Sequence, residues 1–421
     1  MKAQGLSLIV NMMRILFVVP YVPNLIRVRP YNFIRRLVHR GHQVTVLTTW
    51  TAAAERADVE ALRGEGVDVR AVSLPAWRSA LNCVGVLPSR TPLQAAYCWQ
   101  PELIPAGLLE TLQPDVVHVE HLRGAWYGLH IKQWRDRQGA SFPIVWDSVD
   151  CISLLFRHAA ARSRRLASRL ISGLELGRTE HYEGWLVRQF DRTLVTAPMD
   201  RAALLELAAR QPASNQSPPP DLRVIPNGVD LDYFSVAPGV KREPATVVMS
   251  GKMSYHANVT MVLHFVQAVF PRIRAQRPDV KLWIVGKEPT AQIQALAQDP
   301  AITVTGTVPD LRPYLQQATL AVAPVAYGVG IQNKVLEAMA CGTPVVSTPQ
   351  SVSALELQPG REALIADEPQ AFADAVLSLL GDPGRRDAVG QAGRKYVTTR
   401  HDWANIAAAL EDSYHGIPAY A

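Results

Sequence analysis

The chain has 421 residues, 48% of them hydrophobic, enough for two or three packed cores, since single cores rarely grow beyond about 250–300 residues. A net charge of +6 suits an anionic substrate or a membrane surface. No run of Lys and Arg interleaved with aromatics forms a platform for single-stranded nucleic acid. Cys83, Cys98, Cys151 and Cys341 match neither a zinc spacing nor a disulfide framework, which predicts a reducing, cytoplasmic setting. The apolar run Leu6–Val10 is broken by Asn11, lacks a small-residue cleavage site and is too short to span a bilayer, so residues 1–12 read as an extension.

Arg14 to Pro20 is a continuous apolar run, as a parallel strand buried on both faces requires. A loop from Tyr21 to Pro30 carries Asn24, Arg27 and Arg29. A helix through Phe33, Ile34, Leu37 and Val38 ends at Gly41, and Gln43–Thr49 is the next strand. The absence of G-x-G-x-x-G argues against a nicotinamide dinucleotide site. Val67–Leu74 reads as a strand, Pro101–Leu112 as a helix and Asp115–Val119 as a strand. That strand runs into Glu120 and His121, and Ile144–Trp146 runs into Asp147 and Asp150. Ligand crevices of open α/β sheets lie at the C-terminal ends of strands. His118, Glu120 and His121 there either meet a sugar hydroxyl and a proton or simply cap a strand. Arg157, Arg162, Arg164, Arg165 and Arg169 form a basic segment with Leu166, Leu170 and Leu174 at four-residue spacing. It reads as a solvated helix face or as a helix lying on an anionic membrane.

Helical patterns follow over Leu176–Asp191 and Met199–Arg210, with a short strand, Thr193–Thr196, between them. Gln211–Pro220 is a loop. Arg223–Pro226 is a strand leading into Asn227-Gly228, a turn signal. Pro238–Pro244 reads as a hinge, after which α/β alternation restarts: strand Ala245–Met249, the tight loop Ser250-Gly251-Lys252, helix Val259–Phe270, and strands Lys281–Val285, Ile302–Thr305 and Leu320–Pro324. The last delivers the chain into Gly328-Val329-Gly330-Ile331-Gln332-Asn333-Lys334 and a helix with Val335, Leu336, Met339 and Ala340 on one face. Gly342 and Pro344 close that helix, and Asn333 is its expected N-cap. Lys334 and Glu337 then sit in the first turn, where free backbone N–H groups and the helix dipole favour an anion. The alternative is a packing helix with a solvated Lys and Glu. His401 to Leu410 is a terminal helix.

Val224-Ile225-Pro226-Asn227-Gly228-Val229-Asp230, Trp283–Gly286, Val304–Val308 and Lys334–Val346 together resemble the GT-B glycosyltransferases of the large retaining family 4, or group 1. Within that family the chain is similar to sugar transferases of bacterial polysaccharide assembly. The resemblance implies two doubly wound, Rossmann-like parallel-sheet domains facing a cleft: residues 13–238 for the acceptor and 239–400 for the nucleotide-sugar. Residues 401–421 would be a C-terminal helix packing back on the first domain. It implies transfer of a sugar from a nucleoside diphosphate to a glycan or lipid-linked hydroxyl, with no cofactor, no metal and no nucleic acid. Lys252 and Lys334, with the backbone of Gly330, Ile331, Gln332 and Asn333, would meet the diphosphate. Glu337 would hold ribose, Gly306 and Val308 would face the base, and His121 or Glu120 would bond the transferred sugar. Asn24, Arg29, Asp147 and Asp150 are the acceptor-side candidates. Asp230-Leu231-Asp232 has a metal-binding form but reads as structural.

The chain departs from the family pattern in four places. Val329 stands where a first Glu is expected. Ala257 or Asn258 replaces the second cation after Lys252. Pro23-Asn24-Leu25 replaces a Gly-Gly loop, and His118-Val119-Glu120-His121 replaces His-x-His. Two rival readings follow: a silent GT-B scaffold subunit and a nucleotide-sugar epimerase. The expected location is cytoplasmic, with peripheral contact at the inner face of the plasma membrane.

Overall fold

The computed structural model describes residues 12–162, 166–212, 219–327 and 331–417, and over 159–174 the backbone alone. The chain divides into two units. One takes in the residues up to 153, then 174–225 and those from 407 onward; the other takes in 154–173 and 226–406. The chain leaves the first unit at Ile225, ahead of the Pro238–Pro244 stretch.

The first unit holds seven parallel strands: β1 (Arg14–Val19), β2 (Gln43–Trp50), β3 (Asp68–Ser73), β4 (Val116–Glu120), β5 (Ile144–Val149), β6 (Arg192–Val195) and β7 (Leu222–Val224). Their order is β3-β2-β1-β4-β5-β6-β7. Strand order reverses between β1 and β4, which opens a crevice at their C-terminal ends. In β1, Ile15, Leu16, Phe17, Val18 and Val19 are all buried, as a strand covered on both faces demands. Register sets Glu120 beside Asp147 and His118 beside Phe17. His118 and Glu120, two residues apart, point to the same face.

The second unit holds six parallel strands: β8 (Thr246–Ser250), β9 (Lys281–Val285), β10 (Ile302–Gly306), β11 (Leu320–Ala323), β12 (Val345–Ser347) and β13 (Leu364–Ile365). The order β10-β9-β8-β11-β12-β13 puts the reversal between β8 and β11. The core beneath this sheet includes Val247, Met249, Phe265, Phe270, Leu282, Ile284, Phe372 and Val376. Both sheets match the doubly wound α/β architecture expected from the alternation of elements.

Several local expectations are corrected. Pro101–Leu112 is not one helix but a 3-10 turn, Pro101–Leu103, and a helix, Leu108–Leu112, separated by Gly107 at φ 79. Asp147 lies within β5 rather than beyond it, and is fully buried. Asn227-Gly228 makes no turn: it leads into a parallel bridge between Val229 and Asp402. A Cβ on Gly228 would stand 2.8 Å from Trp403, so the glycine is needed for that packing. The helix expected at Val259–Phe270 runs from His256 to Gln276 through a π turn at Phe265–Val269. Helices His121–Gln138, Pro369–Gly381 and Pro383–Arg400 were not read from the pattern.

One glycine braces the loop after β8. Gly286 has φ 148, and a Cβ there would lie 1.8 Å from the Gly251 carbonyl oxygen. Gly286→Ala is expected to destabilise the second unit by at least about 2 kcal/mol through backbone strain and overpacking. The check is the urea midpoint; an unchanged midpoint contradicts this tight approach.

Candidate active site

In the second unit, three stretches far apart in sequence meet. Helix Asn333–Ala340 follows β11 at the sheet's reversal point and buries Val335, Leu336, Ala338, Met339 and Ala340. That amphipathic register turns Lys334 and Glu337 away from the core. Lys334 Nζ donates to Asn258 Oδ1 at 2.7 Å and lies 3.5 Å from Gln332 Oε1. Asn258 Nδ2 in turn donates to the Lys252 carbonyl at 2.9 Å. Gly251, at φ 147, leaves room for this: a Cβ would stand 2.9 Å from Asn258 Nδ2 and 3.6 Å from Lys334 Cε.

Burial lowers the Lys334 ammonium to about 8, and Glu337 only partly restores it. Burial likewise raises the Glu337 carboxyl to about 7, against the pull of Lys334. Among the described residues, no hydrogen-bond partner meets the Glu337 carboxylate. A cation and a carboxylate, both pushed toward neutrality at a helix start, form a site prepared for an anion and for hydroxyl groups.

The first unit carries a denser cluster. Arg29, in helix Val28–His39, places Nε 2.8 Å from Asp147 Oδ2 and donates from Nη1 to the Ile225 carbonyl at 2.9 Å. His118 Nε2 lies 3.5 Å from Asp147 Oδ2 and 3.7 Å from Glu120 Oε2, and its Nδ1 is 2.9 Å from Tyr414 Oη. Tyr21 Oη donates to Glu120 Oε1 at 3.4 Å. Burial opposes ionisation throughout. It is outweighed at His118, where the two carboxylates raise the imidazolium's pKa, and at Asp147, which Arg29 and His118 hold well below the carboxylate range. Glu120 is raised by burial despite His118. Ligand atoms of His118, Glu120 and Asp147 lie within 4.8 Å of one another, close enough to hold a metal ion. The buried guanidinium of Arg29 already supplies positive charge at Asp147.

His121 opens helix His121–Gln138 at φ 64, a left-handed conformation unusual for a residue with a Cβ. Burial and Arg123 lower its imidazole to about 3, so it is neutral near pH 7.

The other expected residues fall as follows. Lys252 is exposed and pairs with Glu288 at 3.0 Å. Asn333 is not the N-cap; Gln332 holds that position, without a side-chain bond to the helix. The reason is that Asn333 already has its backbone in the helix, and its Oδ1 is buried without a partner. Ile331 packs with Val335 and Val308 in one apolar cluster, and Gly306 ends β10 at φ 68. Gly330, with Gly328 and Val329, lies outside the described residues. Asn24 caps its own loop, accepting from Ile26 and Arg27 N–H groups and donating to Asp58 at 2.8 Å. Asp150 accepts from Thr196 Oγ1 at 3.0 Å, and burial raises it to about 6. Asp230 accepts from the Asp232 and Tyr233 N–H groups, a local turn role. Of the basic segment, Arg157 is exposed; Arg164 and Arg165, and the side chains of Arg162 and Arg169, lie outside the described residues.

Sequence reading missed Asn258 as the partner of Lys334, and the roles of Tyr21 and Tyr414. The period-2 spacing of His118 and Glu120 could have revealed their shared face. Nothing local marks Asn258 or Tyr414.

Comparison with known proteins places these features in context. A family described as "Glycosyl transferase 4-like domain" matches residues 26–228, and "Glycosyl transferases group 1" matches residues 244–382. The chain is 30% identical over 229 residues to a GDP-mannose-dependent alpha-(1-6)-phosphatidylinositol monomannoside mannosyltransferase of Mycobacterium tuberculosis, covering 48% of this chain and 58% of that protein. It is 27% identical over 322 residues to the glycogen synthase of the same organism, covering 73% and 70%. In fold it is similar to Anabaena HepE, solved in complex with UDP and glucose, with TM-score 0.67, 15% identity and 96% and 100% coverage. It is also similar to a Thermosynechococcus elongatus sucrose-phosphate synthase, with TM-score 0.65, 18% identity and 95% and 98% coverage.

The titration of Glu337 carries a measurable consequence. Its folded pKa is raised to about 7, so the unfolded chain ionises first. The associated stability is present below the ordinary carboxylate range and is lost as pH rises through about 7. Glu337→Gln removes this loss. Its melting temperature relative to wild type is expected to rise by several degrees between pH 5 and pH 8; a constant difference contradicts the shift.

Proposed function

Because the chain belongs to the group 1 glycosyltransferases, we propose that it moves a sugar, with retained anomeric configuration, from a nucleoside diphosphate-sugar to a hydroxyl of a glycan or lipid-linked acceptor in cell-surface or exopolysaccharide synthesis. The observation that carries this reading is Lys334, held by Asn258 at the start of a helix and three residues from the carboxylate of Glu337. As the sugar departs, negative charge grows on the diphosphate. A fixed ammonium and the positive end of a helix stabilise that charge without reorganisation. On this reading the cation at the diphosphate is Lys334, assisted by Lys252, rather than a metal. The Glu337 carboxylate accepts hydrogen bonds from ribose hydroxyls, and the segment from Gly306 to Val308 faces the base.

The first unit takes the acceptor and the transferred sugar. A neutral His121 imidazole both donates and accepts hydrogen bonds, which suits a sugar hydroxyl. Glu120, raised by burial, is poised to exchange a proton there. The similarity to a GDP-mannose-dependent mannosyltransferase, a glycogen synthase and a protein solved with UDP and glucose supports a nucleotide-sugar donor and a lipid-linked or glycan acceptor.

The test is incubation with a panel of nucleoside diphosphate-sugars, with and without acceptors. Release of nucleoside diphosphate that requires an acceptor and persists in a chelator is expected. Sugar inversion without release means an epimerase, and silence with every donor means a scaffold. Lys334→Ala is expected to cut turnover about 10²–10³-fold, the range for removing one transition-state donor. Unchanged turnover removes Lys334 from the reading.

A further inference from the structure

Helix Ala76–Val86 leaves its largest apolar side chains exposed. Its protein-facing side carries Ser79 and Val86, both buried, with Asn82 Nδ2 donating to the Trp99 carbonyl at 2.8 Å and Cys83 Sγ 3.9 Å from the Leu93 carbonyl. Its solvent side is apolar. Trp77, Leu81 and Val84, at i, i+4 and i+7, form one stripe and are 61%, 57% and 61% exposed, and Leu87 continues it at 51%. A helix folded only for water would bury this stripe.

The charge around the stripe is mainly positive: Glu175, which accepts from the Leu93 N–H, is paired with Arg178, and Arg178 also donates to the Leu87 carbonyl. From Val69 to Pro101 the charged residues are Arg70, Arg78 and Arg90, with no Asp or Glu. The Arg78 guanidinium lies 5.8 Å from the Trp77 ring. Arg90 is exposed.

We propose that this face docks on an anionic lipid bilayer. Trp77, Leu81, Val84 and Leu87 enter the interface, while Arg78 and Arg90 meet headgroup phosphates. An aromatic beside aliphatics, flanked by arginines, is the composition that an interfacial helix requires. A second copy of this chain fits less well. A two-fold contact of this face with itself would bring Arg78 and Arg90 against their own equivalents, and the neighbouring carboxylate, Glu175, is already paired with Arg178. With only four apolar side chains, attachment depends on the charge term and falls as salt screens it. The basic segment at 157–169 plays no part in this proposal, which also stands apart from the proposed reaction.

The full chain is sedimented with phosphatidylcholine vesicles, with and without phosphatidylglycerol. Binding is expected to the anionic vesicles only, and to weaken as ionic strength rises. The doubly substituted Trp77→Ser/Leu81→Ser protein is expected to lose at least about tenfold in partitioning, because the apolar contribution scales with the carbons buried. Arg78→Glu/Arg90→Glu is expected to lose binding as well. All four residues lie on the surface, so unchanged melting temperatures are expected and keep the comparison interpretable. Failure to sediment with either vesicle, equal binding to neutral vesicles, or wild-type binding by both variants overturns the proposal. So does a dimer that the Trp77/Leu81 variant converts to monomer without any vesicle binding, since the face is then covered by a second copy.

Discussion

The hydrogen bond from Lys334 to Asn258 is the constraint on which the second unit's site depends. It ties the first turn of helix Asn333–Ala340 to the segment following β8, across the point where strand order reverses. A lysine on a flexible stem is otherwise a mobile charge; held by an amide, it becomes a fixed one. The arrangement is incomplete in a particular way. Asn258 satisfies the ammonium with a neutral oxygen, so burial still depresses Lys334, and Glu337 is left raised. A ligand bearing a diphosphate and hydroxyl groups completes both requirements together.

The two sheets apply the same topology to different ends. In the first unit, the residues at the β1/β4 reversal pair closely, Arg29 with Asp147 and His118 with Tyr414, while His118 Nε2 and Glu120 Oε2 have no hydrogen bond among the described residues. A buried ion pair of this kind fixes geometry more than it adds stability. It holds Glu120, itself buried, at the end of β4, with His121 following it. In the second unit, Lys334 meets the neutral oxygens of Asn258 and Gln332, and burial raises Glu337. On the proposed reading, Lys334 and Glu337 bind the part of the substrate that must accept charge.

The alternation of strands and helices was legible because parallel strands buried on both faces leave uninterrupted apolar runs, as Arg14–Val19 and Lys281–Val285 do. The helix after β11 was legible from Gly342, Pro344 and the apolar spacing, although its N-cap is Gln332 and not Asn333. Long-range partners were not. Asn258 lies 76 residues from Lys334, and Tyr414 lies 296 from His118, and neither carries a local signature. Asn227-Gly228 misled because turn propensity is a local preference, and packing of Trp403 against Gly228 overrides it. The helices at 369–381 and 383–400 did announce themselves, through Pro369 and Pro383 at their first positions, a signal that the apolar pattern alone does not weigh.

The central claim is that Glu337 and Lys334 form one grip on a nucleoside diphosphate, with the carboxylate on the ribose. The most direct measurement is calorimetric titration, at pH 8, of a nucleoside diphosphate and its 2′,3′-dideoxy analogue into wild type and Glu337→Gln. Wild type is predicted to bind the analogue at least about tenfold more weakly, the scale of a hydrogen bond to a charged group, while the variant binds both alike. Equal discrimination by both proteins would contradict the assignment.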